Sequence, residues 1–540
     1  MQRRGSERPT PGLFDPIGRV SGNQRLGFMN VGWRLFLVGW MFWSGSLAAQ
    51  ISREIQAVES IPDMLERLAD QADPEQHPFL NELRVERYES SLRQMRQSGF
   101  EYARTLESWA EELLRCGRAE EVAVRWGEVA RLRVQGMPGR DGSRSVSGPR
   151  LAEAVAWMRL GEQENCLAGH SPSACILPFD AEAVHRRRRP MQEAIRILQV
   201  QLEADASDLS ARWLLNLAWM AAGGYPDRVP RKHLIPPEVF RSFRDVPGFT
   251  NRAAALALDD ARLSGRAVAE DFDGDGDIDL VVTSLGMRHP IKYYRNNGDG
   301  TFTERAREAG LDREWGGLNV QQTDYNNDGL PDLFVLRGGW FGEDGRLPKS
   351  LLKNLGGGVF TNVTREAGLL SLHPTQTAAW ADFDGDGWLD VMIGHETRGG
   401  HAHACQLFRN RGDGTFESCG ESAGVGVSAW VKGVAAGDYD NDGKPDLYLS
   451  VLGGKNVLFR NRCRPGLMRF EDASEAAGVQ EPWHSFPTWF FDFDQDGWED
   501  LFVVIRRRTS VKWRRIIWGF LMEARNRACI ATEARADSRM

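Results

Sequence analysis

Five stretches of the sequence set oxygen-bearing side chains at alternate positions of a nine-residue phrase. The third, Asp382-Phe-Asp384-Gly-Asp386-Gly387-Trp-Leu-Asp390, carries carboxylates at positions 1, 3, 5 and 9 and glycine at position 6. The others begin at Asp271 (DFDGDGDID), Asp324 (DYNNDGLPD), Asp438 (DYDNDGKPD) and Asp492 (DFDQDGWED). Calcium is a hard cation that takes six to eight oxygens, and alternate side chains of a tight loop can converge on one point while a backbone carbonyl adds a further ligand. The candidate ligands are therefore Asp271, Asp273, Asp275 and Asp279 in the first loop and Asp324, Asn326, Asp328 and Asp332 in the second. The third supplies Asp382, Asp384, Asp386 and Asp390, the fourth Asp438, Asp440, Asp442 and Asp446, and the fifth Asp492, Asp494, Asp496 and Asp500. An ordinary turn of Asp, Asn and Gly needs no carboxylate at position 9, so five copies with that residue argue for an ion.

The helix-loop-helix calcium motif begins in the same way but requires a bidentate glutamate at position 12. Here that position holds Val282, Val335, Ile393, Leu449 and Val503. The runs that follow the loops, such as Asp332-Leu-Phe-Val-Leu336, are short, β-branched and aromatic, which predicts loops that join strand to strand. The invariant glycines Gly276, Gly329, Gly387, Gly443 and Gly497 permit a sharp turn.

The loop starts are 53, 58, 56 and 54 residues apart. Such a period implies one supersecondary unit used repeatedly. Between the loops recur hairpins such as Tyr294-Arg-Asn-Asn-Gly-Asp-Gly-Thr-Phe302 and small-residue turns such as Phe360 to Leu369. Four short strands in about 55 residues is the size of a propeller blade.

These loops, with the intervening N-x-G-D-G-x-F hairpins and E-A-G-L turns, resemble the FG-GAP/VCBS repeat family, whose propeller repeats are also found in integrin α-subunit heads. With its helical region and export signal, the whole chain is similar to the cartilage acidic protein-like, ASPIC/UnbV-associated family, while lacking the C-terminal ASPIC/UnbV domain. The resemblance implies an all-β propeller over residues 240–505 and calcium as the ion that stabilises each blade. Asn326 departs from the pattern by replacing an acid with a neutral oxygen ligand.

The expected chain is multidomain, with an N-terminal all-α region of tetratricopeptide-like helices followed by the propeller, which is incomplete at its C-terminal end. Residues 1–49 read as a signal peptide region, with Arg34 before the apolar run Leu35 to Trp43 and small residues at Ser46 and Ala48. Residues 50–239 read as helical, with periodicity through Leu80 to Arg115, two helices at Met191 to Leu202 and Leu209 to Ala222, Asp208 as an N-cap, and a linker at Arg140 to Pro149. Residues 506–540 form a basic tail that matches nothing before it, either a membrane-facing helix or an aberrant gene end. Seven cysteines allow bridges at Cys166–Cys175 or Cys405–Cys419.

The net charge of −8 is uneven, since the five loops hold 21 of the 75 acidic residues. The remaining 54 acids face 67 Lys and Arg. The basic clusters, such as Arg186 to Arg189, are short and lack interleaved aromatics, which excludes nucleic acid as a partner. Gly394-His395-Glu396 with His401 and His403 groups metal-binding side chains without the H-E-x-x-H spacing of a zinc protease. Trp380, Trp430 and Trp489, each ahead of an acidic loop, read as blade-packing residues. The reading is a secreted, periplasmic or cell-surface calcium-binding protein that binds an extracellular or periplasmic protein or glycan and performs no catalysis. Membrane contact is expected only through an uncleaved signal or the basic tail. The alternative is an exported polysaccharide-active hydrolase or lyase with a propeller accessory.

Overall fold

The structure is a computed structural model that describes residues 59–97, 99–136, 145–168, 177–240, 252–260, 262–398 and 401–505. The expected signal region, the basic tail, the Cys166–Cys175 pair and Cys529 lie outside what it describes. The chain divides into two compact units after Ser60, and the helices and sheets described below belong to the second.

Among the described residues seven α-helices come first: α1 (Ile61–Gln71), α2 (Asn81–Gln94), α3 (Phe100–Arg115), α4 (Ala119–Val134), α5 (Ser147–Ala168), α6 (Arg189–Ala204) and α7 (Leu209–Ala221). The periodicity from Leu80 to Arg115 belongs to two helices: the first ends at Gln94, where Met95 turns extended, and Gly99, at φ +100°, starts the second. Asp208 caps α7 as expected, its side chain accepting the Ala211 amide at 3.0 Å. The linker read at Arg140 to Pro149 is shorter than expected, since α5 already begins at Ser147. Proline is tolerated in a first helical turn, where its missing N–H has no partner to lose. From α2 onward each helix packs on its successor. Leu106, Trp109, Val122 and Trp126 form one core, and Ile195, Leu198, Leu202 and Leu215 form a second. Among the described residues, no helix is long and apolar enough to cross a membrane.

Among the described residues four four-stranded antiparallel sheets and one two-stranded sheet follow. The first contains β1 (Ser264–Glu270), β2 (Asp279–Ser284), β3 (Lys292–Asn296) and β4 (Phe302–Glu304). The second contains β5 (Asn319–Thr323), β6 (Asp332–Leu336), β7 (Ser350–Asn354) and β8 (Phe360–Asn362). The third contains β9 (Thr375–Ala381), β10 (Asp390–His395), β11 (Gln406–Asn410) and β12 (Phe416–Ser418). The fourth contains β13 (Val431–Gly437), β14 (Asp446–Val451), β15 (Val457–Asn461) and β16 (Phe470–Asp472), and the fifth β17 (Ser485–Phe491) and β18 (Asp500–Ile505). In each complete sheet the strands pair in chain order as a meander.

An apolar layer separates each sheet from the next. Val281 and Tyr293 meet Leu333 and Phe360; Phe334 and Leu351 meet Val391 and Phe408; Leu407 meets Leu447 and Leu449; Tyr448 and Leu458 meet Leu501 and Val503. This explains why β6, β10 and β14 are buried along their whole length: both faces are covered, so they read as continuous apolar runs. The first strands of successive sheets lie side by side. Asn319 donates to Gln376 O at 2.8 Å and Gln376 to Lys432 O at 3.0 Å along this row. At the far side Phe360, Phe416 and Phe470 donate their amides to Ala309, Ala367 and Ala423 of the preceding sheet at 2.9, 2.9 and 3.0 Å. Helix α1 lies on the sheets, with Ala69 packed among Met287, Phe341 and Leu347 and Arg313 paired to Asp63 and Glu66 at 2.7 and 3.2 Å.

Cys405 and Cys419 are free thiols, which corrects the expectation of a possible bridge between them. The reason is register: Cys419 donates its amide to Leu407 O at 2.9 Å and so stands opposite a residue two positions beyond Cys405.

Candidate metal centre

Every acidic loop joins the first strand of a sheet to the second. The residue before the loop pairs with position 9 in each case, as in Glu270 with Asp279, Ala381 with Asp390 and Gly437 with Asp446. This register closes the loop at its base and holds position 9 at the first residue of the second strand.

Position 1 organises the turn. Asp382 accepts the amides of Gly385 and Asp386 on one carboxylate oxygen, at 2.8 and 3.0 Å, and that of Gly387 on the other at 2.8 Å. Asp271, Asp438 and Asp492 do the same for their own position-6 glycines. Gly387 must turn its amide inward, and it does so at φ +90°, where a side chain would be strained. Position 4 is left-handed too, which explains why it holds Gly, Asn, Gly, Asn and, at some cost, Gln495 with φ +62°.

Position 9 is buried in the first four loops, whereas Asp500 in the fifth is half-buried. Asp390 is fully enclosed, accepting Asn410 N at 2.8 Å on Oδ1 and Phe383 N at 3.0 Å on Oδ2. Burial pushes Asp332, Asp390 and Asp446 up to about 7 and raises Asp279. Carboxylates so placed favour a neutral form unless a cation stands beside them.

Positions 1, 3 and 9 offer ligand oxygens within 4.8 Å of one another in four loops: Asp271, Asp273 and Asp279; Asp382, Asp384 and Asp390; Asp438, Asp440 and Asp446; Asp492, Asp494 and Asp500. The second loop is outside these acidic groups because Asn326 occupies position 3, where its amide donates to Asp328 at 2.9 Å. Asp384 is 3 % exposed, and its Oδ1 is buried with no hydrogen-bond partner; Asp440 Oδ1 and Asp332 Oδ2 are in the same state. An orphaned, buried carboxylate oxygen in a group of acids suits a hard cation, and the all-oxygen donor set suits calcium over zinc.

The position-5 acids fall outside those groups. A basic residue on the third strand takes them. Arg409 donates to Asp384 Oδ2 and Asp386 Oδ2, both at 2.7 Å. Arg295 forks between Asp273 and Asp275, with 2.6 Å to the latter. Arg460 pairs with Asp440 and stands 3.9 Å from Asp442, and Lys353 is 3.3 Å from Asp328. The next residue is an asparagine that locks the loop to its neighbour. Asn410 donates to its own Leu389 O at 3.0 Å and to Tyr325 O of the preceding loop at 2.7 Å. Asn354 reaches Phe272 O and Asn461 reaches Phe383 O in the same way, both at 2.9 Å. Sequence reasoning did not assign these residues a role; the signal was the recurring basic residue and asparagine, as in Arg409-Asn410, two positions before the hairpin glycine.

The histidine group resolves differently. His395 and His403 are drawn around His373, with His373 Nδ1 and His403 Nδ1 at 2.9 Å, while Glu396 turns to Lys432. Among the described residues these histidines are not in any three-ligand metal group. Trp380 packs edge-on to Phe334 at 5.2 Å and Trp430 meets Trp340 at 5.7 Å, both between sheets, whereas Trp489 stacks on Phe502 and is 43 % exposed.

Comparison with known proteins bears on the first, second and fourth of these loops. The FG-GAP-like repeat model matches residues 271–335 and 397–449. Over 92 residues, or 17% of this chain, the sequence is 38% identical to cartilage acidic protein 1 of Homo sapiens and 36% identical to that of Xenopus tropicalis. The match spans 14% of the length of these curated relatives. Among solved structures, the V. cholerae biofilm matrix protein Bap1 aligns over 46% of this chain and 36% of its own at 14% identity, with a TM-score of 0.27, a likeness that carries no argument. The chain therefore carries FG-GAP-like repeats and, over that shared segment, is similar to cartilage acidic protein 1.

Proposed function

We propose that this chain is an exported calcium-binding repeat protein of β-propeller type that acts by binding a protein or glycan and not by catalysis. The observation that carries the metal assignment is the buried, unpartnered Asp384 Oδ1 within a group of three acids that recurs at one place in four sheets. Calcium when bound supplies positive charge that lets the position-9 carboxylates ionise and ties each loop to the start of its second strand. The residues Asp382, Asp384 and Asp390 would hold it in the third loop, with Asp382 also shaping the turn and Asp390 bridging to Asn410.

A propeller arrangement is supported by the side-by-side first strands, and by the reach of Trp340, which follows β6, to Phe486 in β17 at 5.8 Å. Helices α6 and α7, a pair joined at Asp208, are the support for a tetratricopeptide-like region offering a second contact surface. Export rests on the apolar run Leu35 to Trp43 and its small-residue border. The binding role rests on the FG-GAP-like repeats. A screen of glycans and extracellular proteins with the full chain, in calcium and in chelator, tests it. Ligand capture that requires calcium is the expected result, and turnover of a polysaccharide with no retained ligand would overturn the reading.

A further inference from the structure

The cation supplied by each hairpin has no place in a scheme in which the acids wait only for metal. In the four complete repeats a basic residue of the third strand lies on acids of its loop: Arg295, Lys353, Arg409 and Arg460. In the third loop the geometry divides the labour. Arg409 takes Oδ2 of Asp384 and Oδ2 of Asp386, while Oδ1 of Asp384 remains buried and unpartnered in a residue that groups with Asp382 and Asp390. Gly466 N adds a second hold on Asp384 Oδ2 at 2.9 Å. Asp386 also accepts Trp388 N at 3.1 Å, so position 5 is committed to the turn and the arginine. Among the described residues, the acids of the fifth loop make no such ion pair, and that loop is the most exposed of the four three-acid groups.

We infer that these strand residues are built-in counter-ions that set the strength of the loops as calcium sites, an inference resting on the calcium reading above. The fixed positive charge offsets repulsion among the acids when no ion is bound, so the loop keeps its shape. It also opposes an arriving dication, so each site is weaker than its acids alone would make it. Lys353, which faces the second loop from β7, indicates that charge, more than the two-pronged geometry of arginine, is the shared property. A unit charge within about 6 Å of a dication, acting through water-like surroundings, changes affinity on the order of tenfold.

The test uses the full chain and two probes, calcium by calorimetry and terbium(III) by emission excited through Trp388, the loop's own tryptophan. The variant Arg409→Gln keeps a hydrogen-bonding side chain without the charge. It should bind terbium, a trication, at the third loop roughly thirtyfold more tightly, shift one site of the calcium isotherm roughly tenfold the same way, and melt at a lower temperature in chelator. Arg409→Lys should match the parent in all three. Arg460→Gln provides the same comparison at the fourth loop, read by calorimetry, should the first variant fail to fold. Unchanged or weaker binding by a folded neutral variant overturns the counter-ion role and leaves the calcium reading standing. Absence of any ion binding by the parent overturns both.

Discussion

Replacing Asn410 tests how the repeats are joined. Its side chain is fully buried and makes three hydrogen bonds: to Tyr325 O at 2.7 Å, to Leu389 O at 3.0 Å, and from Gly412 N at 3.0 Å. At about 1 kcal/mol net for each, Asn410→Ala should cost about 3 kcal/mol, and more if the orphaned carbonyls stay dry. The counterpart in the first sheet, Asn296, is half-buried and makes two such bonds, to Ile278 O and from Gly298 N, both at 3.1 Å, with no preceding acidic loop to reach among the described residues. Asn296→Ala should therefore cost about 1 kcal/mol, because water can replace what is lost. Urea unfolding followed by tryptophan fluorescence, in excess calcium, measures both. The difference between the two is the bond to the preceding sheet together with its burial. Equal costs would refute the claim that this asparagine couples neighbouring loops.

Glu396→Ala should destabilise by about 3–5 kcal/mol, since it strands the fully buried Lys432 charge, while the double change with Lys432→Met should recover most of that loss in the same urea assay. His373 is held down to about 4 by burial and then by Lys349 and His403, so the unfolded chain takes up protons first as pH falls. Stability should then drop from pH 6.5 toward 4, and His373→Gln should flatten that part of the melting-temperature profile recorded in saturating calcium. Asp384→Asn should remove one ion from the count obtained by native mass spectrometry, and Asp386→Asn should leave the count unchanged. Cys405 and Cys419 should both react with a thiol reagent in urea without reductant.

The sequence made the repeating unit legible because its chemistry is local. The position-6 glycine, the acid at position 9 and the β-branched run after it all act within a dozen residues, and the strand-loop-strand order follows from them. Asp208 was readable for the same reason, its acceptor and the Ala211 amide being three residues apart. What escaped is what one repeat does for another. Asn410 reaches a carbonyl 85 residues earlier in the chain, and Asn461 one 78 residues earlier, and no local preference encodes such a distance. His373 joined His403 through the fold alone, 30 residues away. The arginines were visible as part of a hairpin but not as partners of acids 20 to 25 residues before them. The cysteine pair failed because a hairpin fixes register, and register was decided by turn geometry and not by the thiols.

The central claim is that the recurring acids hold calcium. Thermal unfolding of the full chain in millimolar calcium and in excess chelator, with bound ions counted by native mass spectrometry, addresses it directly. The account predicts at least four calcium ions, one for each group of three acids, and a melting temperature that rises with calcium as linkage to a native-state ligand requires. Identical melting curves with no retained calcium would contradict it.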